Sequence, residues 1–413
     1  MNKPQPEPPA FRHDPARATV SVRPGDEVDW AVEPAVVGHR RLTAANRRDG
    51  GEVAVPVSAT PAVVGGVGAV VASDDGRVRL LDQSLTRVYW ERRLDHGVYA
   101  SLVVDRARRR VVVASTAGLV VCLSLRGELV WSRVLGRPVF ATPAPCERRD
   151  LLVVATFDSH CHGLRLSDGE PVFDVEVPRP WSAAHAGVAA GRDVYASPVV
   201  TGRDTVVVCA GEHVLALDAD GRERWRRDLG VGVKASPVAV AAADAVAVAA
   251  LDGGVTLLSE ADGRPLAGRR LGGRIAASPA LSGGVLAVGT QDGRGFGLDA
   301  ATLDVRWRLP HGAPRSYTSY SVLPSGDFVA TVAAGDVLCL GREDGAFRWQ
   351  SSQVLGLPDH EPALDITPIA GPDGLMYCAS YGGDVYAFRF RPTGRPTRAA
   401  APARRPEETV SAP

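Results

Sequence analysis

The sequence predicts an all-β fold: a single eight-bladed β-propeller of four-stranded antiparallel blades, with the ring closed by an N-terminal strand. Three observations predict it: a recurring Ser/Thr anchor, a tryptophan 11 or 12 residues before that anchor in four repeats, and a last repeat that lacks one strand. Short β-branched runs separated by Gly, Asp and Pro fill the chain between its ends. A period of about 40 residues with four strands is typical of a propeller blade, since each blade buries its faces against its neighbours.

The anchor is a Ser or Thr, usually followed by Pro, at the start of an apolar strand. The eight anchors are Thr60, Ser101, Thr142, Ser197, Ser236, Ser278, Ser319 and Thr367. Their successive spacings are 41, 41, 55, 39, 42, 41 and 48 residues. Runs such as VVVAS and VRLLD follow each anchor and supply the second and third strands.

The second marker is an aromatic residue in the fourth strand of each repeat. The aromatic positions are Trp90, Trp131, Phe173, Trp225, Trp307 and Trp349. Three of these tryptophans fall 11 residues before the next anchor, and one repeat has Ala267 at the same place. A fixed place in successive blades predicts packing between blades rather than a cofactor site.

The eighth repeat begins at Thr367 and runs out after three strands. The segment EVDWAVEP, which contains Trp30, resembles fourth strands such as ELVWSRVL. We therefore expect residues 27–35 to complete the last blade, because a closed ring has no exposed sheet edge there. The propeller then spans 27–391. Residues 1–26 and 392–413, rich in Pro, Ala and Arg, are predicted to be disordered tails.

The Ser/Thr-Pro start, the Asp/Gly turn and the late tryptophan are similar to those of the PQQ-like (pyrroloquinoline-quinone-like) β-propeller repeat family, over residues 27–391. Recurrent Gly-His and Trp-Asp pairs, which would indicate WD40 repeats, do not occur. The resemblance implies two known roles. Quinone-dependent dehydrogenases of this family are secreted and carry vicinal cysteines and calcium, whereas this sequence has no adjacent cysteine pair. Envelope assembly lipoproteins carry a lipobox cysteine, which this N-terminus does not show. We expect neither role to transfer and expect no cofactor.

Composition gives further expectations. Lys+Arg and Asp+Glu both number 47, so the sequence lacks the basic excess of a nucleic-acid-binding protein. There is no apolar run of about 18 residues and no apolar segment near the start, which predicts no membrane partner and no export signal. The six cysteines are far apart and lie in apolar strands, as small hydrophobic residues do. We expect a cytoplasmic monomer with free thiols.

Three further clusters contain residues that could bind a metal ion or an anion. His160 and His162 share one face of a strand while Cys161 faces away, and two converging ligands are fewer than a zinc site needs. We therefore expect no metal. Four arginines are placed in the loop after the closing strand, where they either clamp an anion or are solvated: Arg40, Arg41, Arg47 and Arg48. The run 106–110 is predicted to lie solvated in a turn on the opposite face.

The candidate site follows from reading two residues back from each anchor, a position that rims the channel mouth in a propeller. Its occupants in blade order are Ser58, Tyr99, Phe140, Tyr195, Lys234, Ala276, Tyr317 and Asp365. Loops beside this ring add polar and aromatic residues, namely Asp158, Trp181, His185, Arg315, His360 and Glu361. Either the tyrosines plug the channel, or the ring stacks a flat or apolar ligand that Lys234 and Asp365 orient.

Two functions are compatible with this ring. The first is a platform that binds a small molecule or a protein at the channel mouth, supported by the neutral charge and by finding no known catalytic motif. The second is an enzyme of specialised metabolism with its active site at the same mouth. Its proton-transfer candidates are Lys234, Asp365 and Tyr99, because a semi-enclosed mouth can shift their pKa.

Overall fold

The computed structural model describes residues 19–20, 27–45, 50–178, 196–309, 319–332, 337–351, 364 and 366–393. Eight antiparallel sheets follow one another as the blades of a propeller, which confirms the predicted fold class. Within blades 1 to 7 the strands pair in chain order, from an inner strand at the channel to an outer strand at the edge of the disc, whereas blade 8 takes its outer strand from the N-terminal part of the chain. We call the face on which the inner strands begin the upper face, and the other the lower face.

The first four blades are continuous in sequence. Blade 1 comprises Ala62–Val64, Gly68–Ala72, Arg77–Asp82 and Val88–Arg93; blade 2 comprises Val103–Asp105, Arg110–Ala114, Leu119–Ser124 and Leu129–Val134. Blade 3 comprises Ala144–Cys146, Leu151–Thr156, His160–Arg165 and Pro171–Glu176; blade 4 comprises Val199–Val200, Val206–Ala210, His213–Leu217 and Glu223–Asp228. A 3-10 turn, Glu147–Arg149, joins the first two strands of blade 3.

The last four blades end with the strand that closes the ring. Blade 5 comprises Val238–Val240, Ala245–Ala249, Gly254–Ser259 and Pro265–Arg270, with a 3-10 turn at Ala241–Ala243; blade 6 comprises Ala280–Ser282, Val285–Gly289, Gly295–Asp299 and Val305–Leu309. Blade 7 comprises Ser321–Val322, Phe328–Thr331, Val337–Leu340 and Phe347–Ser351; blade 8 comprises Ile369–Ala370, Leu375–Ala379, Asp384–Arg389 and Ala35–Arg41.

Five short strands accompany the blades. Thr19–Val20 pairs in parallel with the inner strand of blade 1, Val28–Asp29 pairs with Arg391–Pro392, and Thr43–Ala45 pairs with Glu52–Ala54. The segment 1–26, predicted to be a tail, thus contributes a strand at 19–20, and the rest of it lies outside the described residues. In the described part of the chain, no helix combines the length and the hydrophobicity that a membrane span requires.

The ring is closed by an N-terminal strand as predicted, but the strand is Ala35–Arg41 rather than 27–35. In the closing strand, Gly38 pairs with Ala387 beside a bulge, which is the register that the tryptophan occupies in other blades. Trp30 lies instead where the outer turn of blade 8 would be. Its carbonyl oxygen accepts a hydrogen bond from the indole of Trp349 (3.0 Å), and its ring packs against Phe390.

Two residues predicted in the following loop belong to the closing strand. Arg40 and Arg41 end the closing strand rather than lying in the following loop, and Arg47 and Arg48 lie outside the described residues. The Arg40 guanidinium donates hydrogen bonds to the carbonyl oxygens of Leu85 (3.1 Å) and Thr86 (3.0 Å) in blade 1. This arginine therefore joins the last blade to the first instead of clamping an anion.

The arginine run on the lower face is also structural rather than merely solvated. Arg108 pairs with Asp105 of its own blade (3.2 Å) and with Asp150 of blade 3 (2.9 Å). Arg110 donates a hydrogen bond to the carbonyl oxygen of Ser167 (2.9 Å). Short Asp-containing turns of neighbouring blades bring carboxylates and carbonyls within reach, which sequence spacing alone does not show.

Tryptophans of the outer strands pack between blades as predicted. The indole N–H of Trp131 donates to the carbonyl oxygen of Leu166 in the next blade at 3.0 Å, and the same bond recurs for Trp90, Trp225 and Trp307 at 2.8–2.9 Å. Two residues after the aromatic position, an arginine donates to a carbonyl oxygen in the same neighbouring turn. These pairs are Arg92 with Gly127, Arg133 with Gly169, Arg227 with Gly263 and Arg269 with Leu303.

Candidate functional site

The Ser/Thr anchors form a hydrogen-bonded series around the upper end of the channel. The backbone N–H of one anchor donates to the side-chain oxygen of the anchor in the next blade. The bonds run from Thr60 to Ser101 (3.2 Å), Ser101 to Thr142 (2.9 Å), Thr142 to Ser197 (2.8 Å), Ser197 to Ser236 (3.0 Å), Ser236 to Ser278 (2.9 Å) and Ser278 to Ser319 (2.9 Å). This chain of bonds fixes the start of each inner strand, and hence the residues that precede it.

Five of the predicted rim residues are described, and all five are half-buried: Ser58, Tyr99, Phe140, Lys234 and Ala276. The other predicted site residues, Tyr195, Tyr317, Asp365, Trp181, His185, Arg315, His360 and Glu361, lie outside the described residues. The orientation of a ligand by Lys234 and Asp365 therefore stays a prediction. The described rim residues belong to blades 1, 2, 3, 5 and 6, and those of blades 1, 2 and 3 are consecutive around the mouth.

Aromatic side chains from two neighbouring blades meet at this part of the mouth. The rings of Tyr99 and Phe140 lie edge to face with centroids 5.3 Å apart, and Phe140 lies 4.6 Å from Phe157 at a tilt of 47°. We call these three residues the aromatic rim. Edge-to-face and tilted pairs are the favoured arrangements of aromatic rings, because the ring edge is positive and the face negative. The predicted aromatics of blades 2 and 3 are thus brought together.

Sequence reasoning did not find Phe157. It lies in the turn between the second and third strands of blade 3, and its N–H donates to the carbonyl oxygen of Pro138 (2.9 Å). The same bond holds equivalent turn residues of other blades, namely Asp74, Thr116, Leu251 and Gln291. Aligning the repeats on this turn, as well as on the anchor, would have shown a second row of residues beside the rim.

Blade 1 contributes a carboxyl group to the mouth. The Ser58 hydroxyl donates to Asp74 (2.9 Å), as does the Ser58 N–H (3.3 Å). Burial raises the pKa of Asp74, and these hydrogen bonds offset only part of that rise. The turn that carries Asp74 also contacts the loop leading to Tyr99, since the Val98 N–H lies 3.4 Å from the carbonyl oxygen of Ser73. The Asp74 carboxyl group, whose pKa is raised, therefore lies next to the aromatic rim.

An ion pair borders the rim on blade 3. Asp158, predicted on this face, directly follows Phe157; it forms an ion pair with Arg137 (3.2 Å) and accepts a hydrogen bond from the Thr156 hydroxyl (2.7 Å). Arg137 is 64% exposed, so its charge faces water at the edge of the aromatic rim. Aromatic side chains with a charged border are typical of a surface that binds another molecule.

The histidine cluster of blade 3 has the geometry that the sequence predicts. His160 and His162 share one face of their strand and both approach Asp174, at 2.8 and 3.4 Å, while Cys161 is fully buried on the other face. Burial lowers the pKa of His162, partly offset by Asp174. Within the described ranges, no group of three or more His, Cys, Asp or Glu side chains could hold a metal ion.

A cavity of about 290 Å³ lies at blade 5, between the segment that leads into the blade and its third and fourth strands. Leu229 and Val231 line its apolar side, and it extends over the backbone of Gly268. The ion pair between Arg270 and Asp252 (2.7 Å) borders it. It contains no predicted site residue and no part of the aromatic rim, so we do not take it as the candidate site.

Comparison with known proteins finds relatives in sequence and in structure. The family model described as "Outer membrane protein assembly factor BamB" matches residues 26–216 and 210–399. A protein of that name from Burkholderia pseudomallei (strain K96243) is 28% identical over 268 residues, covering 62% of this chain and 68% of the relative. Another from Yersinia pestis is 28% identical over 203 residues, covering 43% of this chain and 49% of the relative.

Two solved structures share the fold at low identity. BamB from Moraxella catarrhalis superposes with a TM-score of 0.63 at 17% identity, covering 86% of this chain and 100% of that chain. Quinohemoprotein alcohol dehydrogenase from Comamonas testosteroni superposes with a TM-score of 0.62 at 12% identity, covering 86% of this chain and 76% of that chain. At these identities the likeness shows the fold and not the activity.

The comparisons correct the predicted location. The expectation of a cytoplasmic protein is wrong, because the matched family and both curated relatives are named for outer membrane protein assembly. One argument for the cytoplasm was the cysteine pattern. All six cysteines are free and buried, and the two that share blade 3, Cys146 and Cys161, lie in its first and third strands. Thiols that cannot reach one another stay unpaired in an oxidising compartment too, so their pattern does not report the location.

Proposed function

This chain belongs to the BamB family of PQQ-like β-propellers, and from that membership we propose that it is a platform that binds a protein partner through the upper mouth of its channel. The family sets the fold, and a fold by itself hosts many functions. The proposal therefore depends on the mouth. Because the curated relatives are named outer membrane protein assembly factors, the partner class in this proposal is a protein of the outer membrane.

The observation that carries the proposal is the aromatic rim. Tyr99 and Phe140 are each half-buried, so part of each ring is packed and part is open to a ligand. Phe157 supports Phe140 from the same blade at 4.6 Å. Rigid aromatic groups supply large contact area at a small cost in conformational entropy, which is why binding hot spots are rich in them.

The surroundings of the rim favour a protein over a small molecule. The ion pair of Arg137 with Asp158 lies on one side of the rim and the Ser58–Asp74 pair on the other. An apolar centre with a polar border is the usual composition of a protein-binding patch. We therefore expect the partner to insert an apolar side chain between Tyr99 and Phe140 and to place polar groups on the border.

Site-specific photo-crosslinking tests this function. Benzoylphenylalanine replaces Tyr99 in the full-length chain, which is expressed in its native host and irradiated. We expect a discrete adduct with a protein of the outer membrane, identified by mass spectrometry. The matched control places the same group at Tyr89, which is 46% exposed on the outer strand of blade 1 and far from the mouth.

A second substitution makes the result specific. Phe157→Ala removes the support of Phe140 without touching the crosslinking group, and we expect it to reduce the Tyr99 adduct at least about fivefold, since a hot-spot truncation costs more than about 1 kcal/mol. An adduct that forms equally from Tyr89 would contradict the proposal, as would the absence of any Tyr99 adduct while the protein is folded and expressed.

The alternative of an enzyme with its active site at the same mouth stays a hypothesis. Its candidates Lys234 and Tyr99 are half-buried at the rim, whereas Asp365 lies outside the described residues. The likeness to a quinohemoprotein dehydrogenase does not favour it, because 12% identity shows the fold alone. No observation on the described part of the mouth favours catalysis over binding.

A further inference from the structure

The chain places its own strand inside the channel. Thr19–Val20 pairs in parallel with Ala62–Val64, the inner strand of blade 1, with Thr19 opposite Val63 and Val20 opposite Val64. The Cα atoms of this strand also come within 8 Å of Val103–Asp105, the inner strand of blade 2. Among the described residues, no other inner strand has a further strand on its channel side.

The inner strands present backbone rather than side chains to the channel. Successive side chains of a strand point to opposite faces of its sheet, and in a blade those faces pack against the neighbouring blades. Ala62, Val63 and Val64 accordingly have at most 1% of their surface exposed. What such a strand turns toward the channel is an edge of N–H and C=O groups, which bind another extended backbone.

We propose that the channel-side edge of Ala62–Val64 is a binding site for an extended polypeptide strand, and that the chain's own N-terminal strand is its displaceable occupant. The ligand class follows from the edge: main-chain hydrogen bonds recognise any extended backbone of compatible width. The site lies inside the channel, separate from the aromatic rim. It stands on the observed strand pairing, and it holds whether or not the rim binds a partner.

Displacement is possible because the pairing is short. The N-terminal strand makes two residue pairs, whereas the closing strand Ala35–Arg41 makes six with its neighbour. A two-pair contact survives in one chain because tethering gives the segment an effective concentration of about millimolar. A free peptide must compete with that concentration in the full-length chain, and it meets an open edge once the segment is removed.

Peptide binding in solution tests the proposal. The probe is a fluorescein-labelled peptide of residues 14–25 (DPARATVSVRPG), followed by fluorescence anisotropy with the full-length chain and with a chain lacking residues 1–22. We expect saturable binding to the truncated chain and binding at least about tenfold weaker to the full-length chain. No binding to the truncated chain, or equal binding to both, overturns the proposal.

Two proline variants control for backbone pairing and for folding. A peptide with Thr19→Pro and Val20→Pro cannot donate to the edge, so we expect its binding to the truncated chain to be lost. The same two substitutions in the full-length chain should release the tethered strand without shortening the protein, and should raise binding of the unmodified peptide at least about tenfold. Unchanged binding in that variant overturns the proposal even where the truncated chain does not fold.

A last variant separates the two sites. Tyr99→Ala in the truncated chain removes part of the aromatic rim and leaves the blade 1 edge intact, so peptide affinity should stay within about twofold. A large loss of affinity would place the peptide at the rim and overturn a site on the inner strand. Failure of the Tyr99 crosslinks with retained peptide binding would contradict the proposed function alone.

Discussion

Burial decides the chemistry of the cysteines. Cys122, Cys161 and Cys209 are fully buried between blades, and burial raises the pKa of each thiol to about 12. The charged thiolate is the reactive form, and an apolar surrounding disfavours it. The free thiols expected from the spacing of the cysteines along the sequence are confirmed, and all six are buried. Their role is to fill space in the strands rather than to react.

The raised pKa values predict thiols that react only after unfolding. With Ellman's reagent, the native protein should show no fast-reacting thiol between pH 7 and 9, whereas an exposed thiol would react faster as the pH rises through about 8.5. In denaturant without reductant, six thiols should titrate. Because the folded pKa is above the unfolded one, the thiols stabilise the fold below about pH 8.5 and lose that contribution as the pH rises further. A count of four or fewer thiols in denaturant would contradict the prediction of six free cysteines.

Two joints between blades reverse the usual fit of a large residue against a small one. In five joints an aromatic side chain packs on a glycine of the next blade, and a Cβ on Gly169 would come within 2.5 Å of the Trp131 ring. Where Ala267 replaces the aromatic, the facing turn has Leu303 at positive φ (61°) and fully buried. The joint of Gly38 has Leu85 in the facing turn in the same way (φ 62°).

This exchange tests whether the joints are modular. Ala267→Trp alone should lower stability by about 1–3 kcal/mol, because Leu303 fills the space the indole needs. Leu303→Gly alone should cost about 2–4 kcal/mol through the cavity it leaves. The double variant should recover most of both losses, since it rebuilds the Trp-on-Gly joint of the other blades. Urea unfolding of all four proteins measures the coupling, and additive losses would show that the two residues do not share one space.

The sequence predicts seven of the blades correctly, but the predicted closing strand is wrong. The periodic anchors and tryptophans identify seven blades, because the same pattern recurs in each repeat. Hydrogen bonds join the successive anchors of these blades in the structure. The closing blade combines segments from both ends of the chain, so its outer strand was predicted from a single match. That match, Trp30 in EVDWAVEP, was wrong. The indole N–H of Trp349 donates to the Trp30 carbonyl oxygen. The segment around Trp30 therefore accepts a hydrogen bond from the tryptophan of the neighbouring blade and does not form the outer strand of blade 8. The pattern Gly38-His39-Arg40 carries no aromatic signal.

The candidate site was predicted in part for a related reason. Tyr99 and Phe140 follow from their distance to an anchor, because the described anchor bonds link the starts of the inner strands of blades 1 to 7. Phe157 lies beyond the first hairpin of its blade, and the equivalent turn residues fall 13 to 15 residues after their anchors, so an exact count from the anchor does not mark the position. Its place became visible only from the hydrogen bond between its N–H and the Pro138 carbonyl oxygen.

Closure of the ring by Ala35–Arg41 predicts unequal effects of two N-terminal deletions. Removing residues 1–20 loses a two-residue strand and should shift the apparent Tm by about 3 °C or less. Removing residues 1–41 strips six residue pairs from the third strand of blade 8 and uncovers the buried side chains of Tyr386 and Phe388. At about 0.5–1.5 kcal/mol for each lost hydrogen bond plus the exposed apolar area, the loss should exceed roughly 5 kcal/mol.

We expect the longer deletion to melt at least about 10 °C lower or to aggregate, because the new edge is apolar and open to pairing with another chain. Circular dichroism melts with light scattering measure both outcomes. The matched control is the full-length chain with Arg40→Ala, which keeps the strand and removes only the two hydrogen bonds to blade 1. It should fall between the two deletions. Equal melting of both deletions would mean that the last blade is stable with three strands and that the N-terminal strand does not close the ring.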